Sequence, residues 1–383
     1  MTCNICANRL DKPVYESETS LTSVFDIFPQ PTRVRICGSC GHLQTDEIEN
    51  AAAFYDTEYT FLTESEEEDH IYEVRDGNKI YRTDHQIAVL QRKLELDADT
   101  KILDYGCAKS SMMWTLQKDE PALRPFLYDV SDCYVPFWEK FAEPSNWAVY
   151  EIPSSWDGNF DVVTSFFSLE HITRPVEVVD QITRLLTPGG VFYGIVPNVL
   201  TNSADLIVID HVNHFTRSSL DCLLTSAGLV VQEIAADTHR GAFVFLAKRP
   251  IESTGATWTA NEKEIVATSR VLCELAEFWS SAAARLRDAE QDTTNDGELA
   301  VYGASFHGAF IKSCLLRPER IRCFIDQSPF LQSRGVGGVP VLPPDDLPQD
   351  VRNIFVGLNP LHAREVIENV AAFSGRDLSF IYI

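Results

Sequence analysis

The chain has 383 residues, enough for two or three domains rather than one. Hydrophobic residues make up 45% and charged residues 23%, the balance of a globular chain rather than a disordered or fibrous one. A net charge of −24 repels phosphate backbones and argues against nucleic acid as a partner, and no apolar run reaches the ~18 residues of a membrane span.

The N-terminus, Met1-Thr-Cys-Asn-Ile-Cys6, lacks the basic start and apolar stretch of a secretory leader, so a cytoplasmic protein is expected. Paired Cys-x-x-Cys spacing in such a chain reads as metal binding before disulfides. Cys3/Cys6 and Cys37/Cys40 form two such knuckles, and four thiolates would close a tetrahedral structural Zn²⁺ site with no open position. His42 is superfluous as a ligand. Residues 46 to about 95 read as a helical connector. It holds an aromatic patch (Phe54 to Phe61), an acidic run (Glu64 to Asp69) read as a solvated loop, and an amphipathic helix from Tyr81 to Leu96.

From Lys101 strands alternate with helices. Strands are predicted at Lys101–Tyr105, Pro125–Asp129, Phe160–Phe166, Gly190–Val196, Leu229–Ala235 and Ala242–Lys248, with helices at Val176–Leu186 and Ser218–Ala227. That alternation implies a mostly parallel, doubly wound α/β sheet. A long helix, Asn261 to about Gln291, leads to a second and smaller alternation beginning at Leu299–Tyr302. The expected division is 1–75, 76–250 and 251–383.

Ile102-Leu-Asp104-Tyr-Gly106-Cys107-Ala108-Lys-Ser110 is a strand entering a glycine turn, a geometry that brings backbone close to a ligand. A second strand ends in Asp129, an acid placed to accept hydrogen bonds from ribose hydroxyls. The loop does not match the G-x-G-x-x-G fingerprint of NAD sites. It resembles the first motif of class I S-adenosylmethionine (SAM) methyltransferases. Phe160-Asp161-Val-Val-Thr-Ser-Phe166-Phe-Ser-Leu-Glu170-His171 resembles that family's fourth-strand motif, and Leu185-Leu-Thr-Pro-Gly-Gly190 the motif after it. The resemblance implies SAM binding by Asp104, Gly106, Cys107, Ala108, Asp129 and Phe166. Ala108 and Ser110 stand where the family usually has a second glycine.

Zinc knuckles before such a domain and a Rossmann-like unit after it resemble the nucleotide-sugar C-methyltransferases, which act at C-3 of TDP-linked 4-keto-deoxysugars. Asp210-His211-Val-Asn-His214-Phe-Thr216 resembles their Glu-His motif, with Asp replacing Glu. The resemblance makes His211 the base that removes the proton α to the ketone, with Asp210 orienting it. The rival reading has His211 and His214 cap the following helix. His171 sits where the family often has a histidine near the methyl donor and the acceptor; its rival is a helix-terminal hydrogen bond. Tyr59 and Phe61 match an aromatic pair, and Tyr59 is expected either to contact the sugar or simply to pack. O- or N-methylation of another small molecule stays open.

Overall fold

The computed structural model describes residues 1–55, 69–75, 77–252, 255, 257–293, 299–360 and 362–383. The chain divides into two compact units, each assembled from separate stretches: residues 1–11, 36–203 and 212–269 in the first, and 12–35, 204–211 and 270–383 in the second.

The first unit is built on a seven-stranded sheet. Its strands are β1 (Ile102–Tyr105), β2 (Phe126–Asp129), β3 (Trp147–Val149), β4 (Phe160–Phe166), β5 (Leu186–Pro197), β6 (Val230–His239) and β7 (Ala242–Lys248). Their spatial order is β3-β2-β1-β4-β5-β7-β6. The first five are parallel, and β7 runs antiparallel to both β5 and β6. All four residues of β1 are buried, as expected of a central parallel strand covered on both faces. One apolar cluster, containing Leu103, Phe160, Val163, Phe192 and Phe245, lies apart from another containing Ile102, Leu127, Val162, Tyr193 and Val244. Alternate residues of the same strands feed the two, as the two-residue strand period requires.

Helices cross between the strands: α1 (Arg82–Lys93), α2 (Ser111–Asp119), α3 (Pro175–Leu185) and α4 (Arg217–Ser226). Thr216 caps α4 through a reciprocal bond with Ser219, so neither His211 nor His214 serves as its cap. Two expectations are corrected. The segment before α1 is not wholly helical, because Ile71–Arg75 and Asn78–Tyr81 pair as an antiparallel hairpin. The strand expected from Gly190 begins earlier, at Leu186, and residues 187–190 are taken up as an irregularity within β5, whose pairing to β4 shifts between Leu186 and Val191.

In the second unit, β8 (Leu299–Tyr302), β9 (Ile321–Ile325), β10 (Val341–Leu342), β11 (Asn353–Val356) and β12 (Ser379–Tyr382) form a parallel sheet in the order β10-β9-β8-β11-β12. Residues 15–17 pair antiparallel with 32–34, and Ser20–Leu21 with Ile27–Phe28. Helix α5 (Glu262–Asp292) has 31 residues, falls partly in each unit, and precedes α6 (Phe306–Cys314). No helix among the described residues is long and apolar enough to cross a membrane.

Candidate active site

At the end of β1 the chain turns through Gly106, whose φ is 68°. A Cβ there would sit 2.2 Å from Ser168 Oγ, so only glycine fits. Ala108 and Ser110 follow with φ of 46° and 54°, left-handed conformations that side chains resist. The loop is held down by hydrogen bonds. Asp129 Oδ2 accepts from the Ala108 amide (2.7 Å) and Oδ1 from the Ser131 amide (3.2 Å), while Trp138 Nε1 donates to the Ala108 carbonyl (2.7 Å). Beneath it, Asp104 accepts from Ser110 Oγ (2.7 Å) and Thr164 Oγ1 (2.9 Å). Burial lifts the Asp104 carboxyl to about 6 despite those two donors, and burial also raises Asp129. Burial pushes the Cys107 thiol well above its usual range, which keeps it neutral.

This loop forms one wall of a cavity of about 1260 Å³. All six residues expected to hold SAM line it: Asp104, Gly106, Cys107, Ala108, Asp129 and Phe166. Of the seven non-glycine residues with positive φ among the described residues, five line the same cavity: Asn50, Ala108, Ser110, Tyr150 and Phe167. Each costs on the order of 1–2 kcal/mol, and such strain gathers where a ligand site over-determines the backbone. His171 also lines the cavity, 3.3 Å through Nδ1 from Tyr55 Oη, and Tyr55 lines it too. Tyr59 and Phe61 lie outside the described residues.

The segment carrying His171 is fixed by Asn213, a residue the sequence reading did not single out. Its side-chain amide donates to the Leu169 and Ile172 carbonyls at 2.8 and 2.7 Å. Its Oδ1 accepts from Asn4 Nδ2 at 2.5 Å and meets His42 Nε2 at 3.2 Å. Burial lowers His42 to about 3, so it is a neutral donor. His214 Nε2 lies 2.7 Å from Thr45 Oγ1, away from any role at the helix start.

Cys3, Cys6, Cys37 and Cys40 come together with all four sulfurs within 4.8 Å of one another. Cys3 and Cys40 are 3.7 Å apart, Cys6 and Cys37 3.4 Å. Ligands about 2.3 Å from a tetrahedral centre stand ~3.8 Å apart, so the four sulfurs fit a Zn²⁺-sized ion. Hydrogen bonding within the cluster, from Cys3 first and Cys40 next, lowers the Cys37 thiol, and the same contact with Cys37 raises Cys3.

His211 and Asp210 belong to the second unit. His211 Nδ1 meets Asp205 Oδ1 at 2.6 Å, and both side chains are buried. Asp210 was expected to orient this imidazole, but the carboxylate on Nδ1 is that of Asp205. Asp210 instead accepts from the amide (2.7 Å) and hydroxyl (2.6 Å) of Ser23. Asp205 lies in a single turn of 3₁₀ helix, Ser203–Ile207, with no motif to announce it.

Residues 79–234 match the family model described as a methyltransferase domain. The chain carries a methyltransferase domain. It is an enzyme, a SAM-dependent methyltransferase, and the cavity is the place in this domain where the strand ends, the acid of β2 and the glycine turn converge. No curated protein matches the chain. Among solved structures, geranyl diphosphate C-methyltransferase from Streptomyces coelicolor A3(2) is 12% identical over 52% of this chain and 97% of its own, with a TM-score of 0.39. A SAM-dependent methyltransferase from Mesorhizobium loti is 13% identical over 43% and 98%, with a TM-score of 0.36. Another from Methanosarcina mazei is 18% identical over 43% and 98%, with a TM-score of 0.35. Likeness at that level carries no functional argument.

Proposed function

We propose that this methyltransferase methylates carbon, at the position α to the ketone (C-3) of a nucleotide-linked 4-keto-deoxysugar. In this reading Cys3, Cys6, Cys37 and Cys40 hold a structural Zn²⁺, the second parallel sheet is a Rossmann-like domain, and the linear division at 75 and 250 describes the chain's modules. The observation that carries the reading is the buried His211–Asp205 pair. A carbon acid gives up its proton only to a positioned base, whereas an oxygen or nitrogen acceptor brings its own lone pair.

SAM, when bound, supplies an electrophilic methyl group. Asp129 and the backbone from Gly106 to Ala108 would hold its ribose and amino-acid portions, and Phe166 would pack beside it. Asp205 accepts the Nδ1 proton of His211, which leaves Nε2 as the unprotonated base and stabilises the imidazolium once the proton is taken. The substrate proton moves from carbon to Nε2, and the electron pair is released into the enolate. His171 would stand beside the acceptor, its Nδ1 engaged by Tyr55.

The test is proton exchange in D₂O. A TDP-4-keto-2,6-dideoxyhexose is incubated with the protein and S-adenosylhomocysteine, and its C-3 proton signals are followed by NMR. The expected result is loss of those signals with the wild type and their retention with His211→Ala and, in large part, with Asp205→Asn. Retention with the wild type, when S-adenosylhomocysteine is demonstrably bound, would favour O- or N-methylation of a different small molecule.

A further inference from the structure

The cavity is larger than one ligand needs. Small-molecule sites usually occupy ~300–1,000 Å³, so about 1260 Å³ leaves room for donor and acceptor together. With SAM held by the β1 loop and the end of β2, the first turns of α1 are left for the acceptor. The Arg82 guanidinium lies 5.3 Å from the Phe167 ring centre, so the start of α1 borders the end of β4. From there the chain runs on to His171, which lines the cavity as well.

The inner face of α1 changes character along its length. Residues three and four apart share a helix face, and Arg82, Thr83 and Gln86 line the cavity together. One turn on, Val89 and Leu90 are fully buried in the apolar cluster that holds Ile102, Met113 and Leu127. Gln86 stands at the junction. It is only 6% exposed, as deep as its neighbour Ile87 at 5%. An apolar side chain would continue the stripe at this position. Glutamine instead brings two N–H donors and a carbonyl acceptor. None of these has a hydrogen-bond partner among the described residues. An amide buried without partners destabilises the fold, so its presence on a cavity wall points to a ligand that meets it. The amide carries no charge and both gives and takes hydrogen bonds. A hydroxyl does the same, donating to the carbonyl oxygen or accepting from the N–H.

We infer that Gln86 is a specificity-determining residue of the acceptor subsite and that it hydrogen-bonds a hydroxyl group of the acceptor. This rests on the reading of the acceptor as a sugar, and it assigns a residue that reads the sugar ring. A site built around such a contact rejects an acceptor that lacks the hydroxyl, because the buried amide is then left unmet.

The experiment compares the full-length wild type with Gln86→Met, which keeps the unbranched stem and the helix preference and removes the amide. Three quantities are measured: the urea unfolding midpoint, the calorimetric affinity for S-adenosylhomocysteine, and the affinity of the S-adenosylhomocysteine-saturated protein for a TDP-4-keto-2,6-dideoxyhexose. The midpoint should equal or exceed that of the wild type, because no internal hydrogen bond is lost. Affinity for S-adenosylhomocysteine should hold within about twofold, and affinity for the nucleotide-sugar should fall roughly tenfold to hundredfold. Equal nucleotide-sugar affinity in the two proteins overturns the assignment of Gln86 and leaves the sugar reading standing. A matching loss of S-adenosylhomocysteine affinity also overturns it, because the amide would then belong to the donor's subsite. A lowered midpoint overturns it in favour of a structural role. If the wild type binds S-adenosylhomocysteine but not the nucleotide-sugar, the sugar reading fails and the hydroxyl assignment falls with it.

Discussion

Ala108 and Ser110 occupy left-handed backbone positions where glycine would cost nothing, yet they do not tolerate glycine equally. Ala108 contributes only a methyl group to its turn, so Ala108→Gly should relieve strain and stabilise the protein by about 0.5–1 kcal/mol in urea unfolding. Ser110→Gly relieves the same strain but deletes a 2.7 Å donor to the buried Asp104. An acceptor left short of a partner in that setting costs about 1–3 kcal/mol, so Ser110→Gly should be neutral or destabilising. If both variants shift stability by the same amount and sign, the hydroxyl has no role in holding Asp104. The departure from the family's glycine pattern is thus a change of support rather than a lost site: serine gives up backbone ease and gains a clamp on the carboxylate.

At the scale of elements, the strands were legible in the sequence because strands covered on both faces of the sheet are nearly continuous apolar runs. The predicted Phe160–Phe166 and Ala242–Lys248 coincide with β4 and β7. The hairpin at 71–81 was missed although Asp76-Gly77 is a turn signature, because its residues are half-exposed and alternate weakly. Asp205 and Asn213 were missed for a different reason: a single buried polar side chain has no periodicity, and its partners are distant in sequence. Asn213 joins the segments of Asn4 and His42 to the turn that bears His171. Asn213→Leu strands two carbonyls and two donors, and should cost about 3 kcal/mol in urea unfolding. Asn4→Ala, which removes one of those contacts, should cost about 1 kcal/mol. Similar losses in the two variants would show that the junction is not centred on Asn213.

The missed hairpin has a pH-sensitive fastening. Tyr72 stacks on His85 at 3.9 Å, Tyr72 Oη accepts from the Arg240 amide at 2.8 Å, and His85 Nε2 donates to Thr238 O at 3.1 Å. His239 packs against both rings and is lowered to about 4, chiefly by burial, with His85, Arg82 and Arg240 adding repulsion. Its folded value lies below the unfolded ~6.5, so the fold prefers the neutral ring. That contribution is complete above pH ~6.5 and is lost as pH falls toward 4. His239→Gln should flatten the fall in melting temperature between pH 6.5 and 4, and an unchanged slope would remove His239 from the account.

Across the whole molecule, one construction occurs twice. In the first unit Gly106 N donates to Tyr128 O, Ala108 N to Asp129, and Ser131 N to the same carboxylate. In the second, Gly303 N donates to Ile325 O, Ala304 N to Asp326, and Ser328 N to that carboxylate. The same local chemistry of strand, glycine turn and acid therefore shapes both parallel sheets. The cavity of about 1260 Å³ and the four-cysteine cluster are nonetheless built wholly from residues of the first unit. Ligands there stabilise what they bind, and the effect should stay in that unit if the two unfold separately. S-adenosylhomocysteine at 100 times its Kd adds about 2.7 kcal/mol, worth roughly 5–11 °C for a unit of this size. Scanning calorimetry should then show two transitions, of which only one rises with S-adenosylhomocysteine. A chelator should lower that same transition, because removing a metal leaves four clustered thiols without the charge that holds them together. If chelation moves the other transition, the metal reading of the cysteines fails. If every ligand moves a single transition as a whole, the two units fold as one.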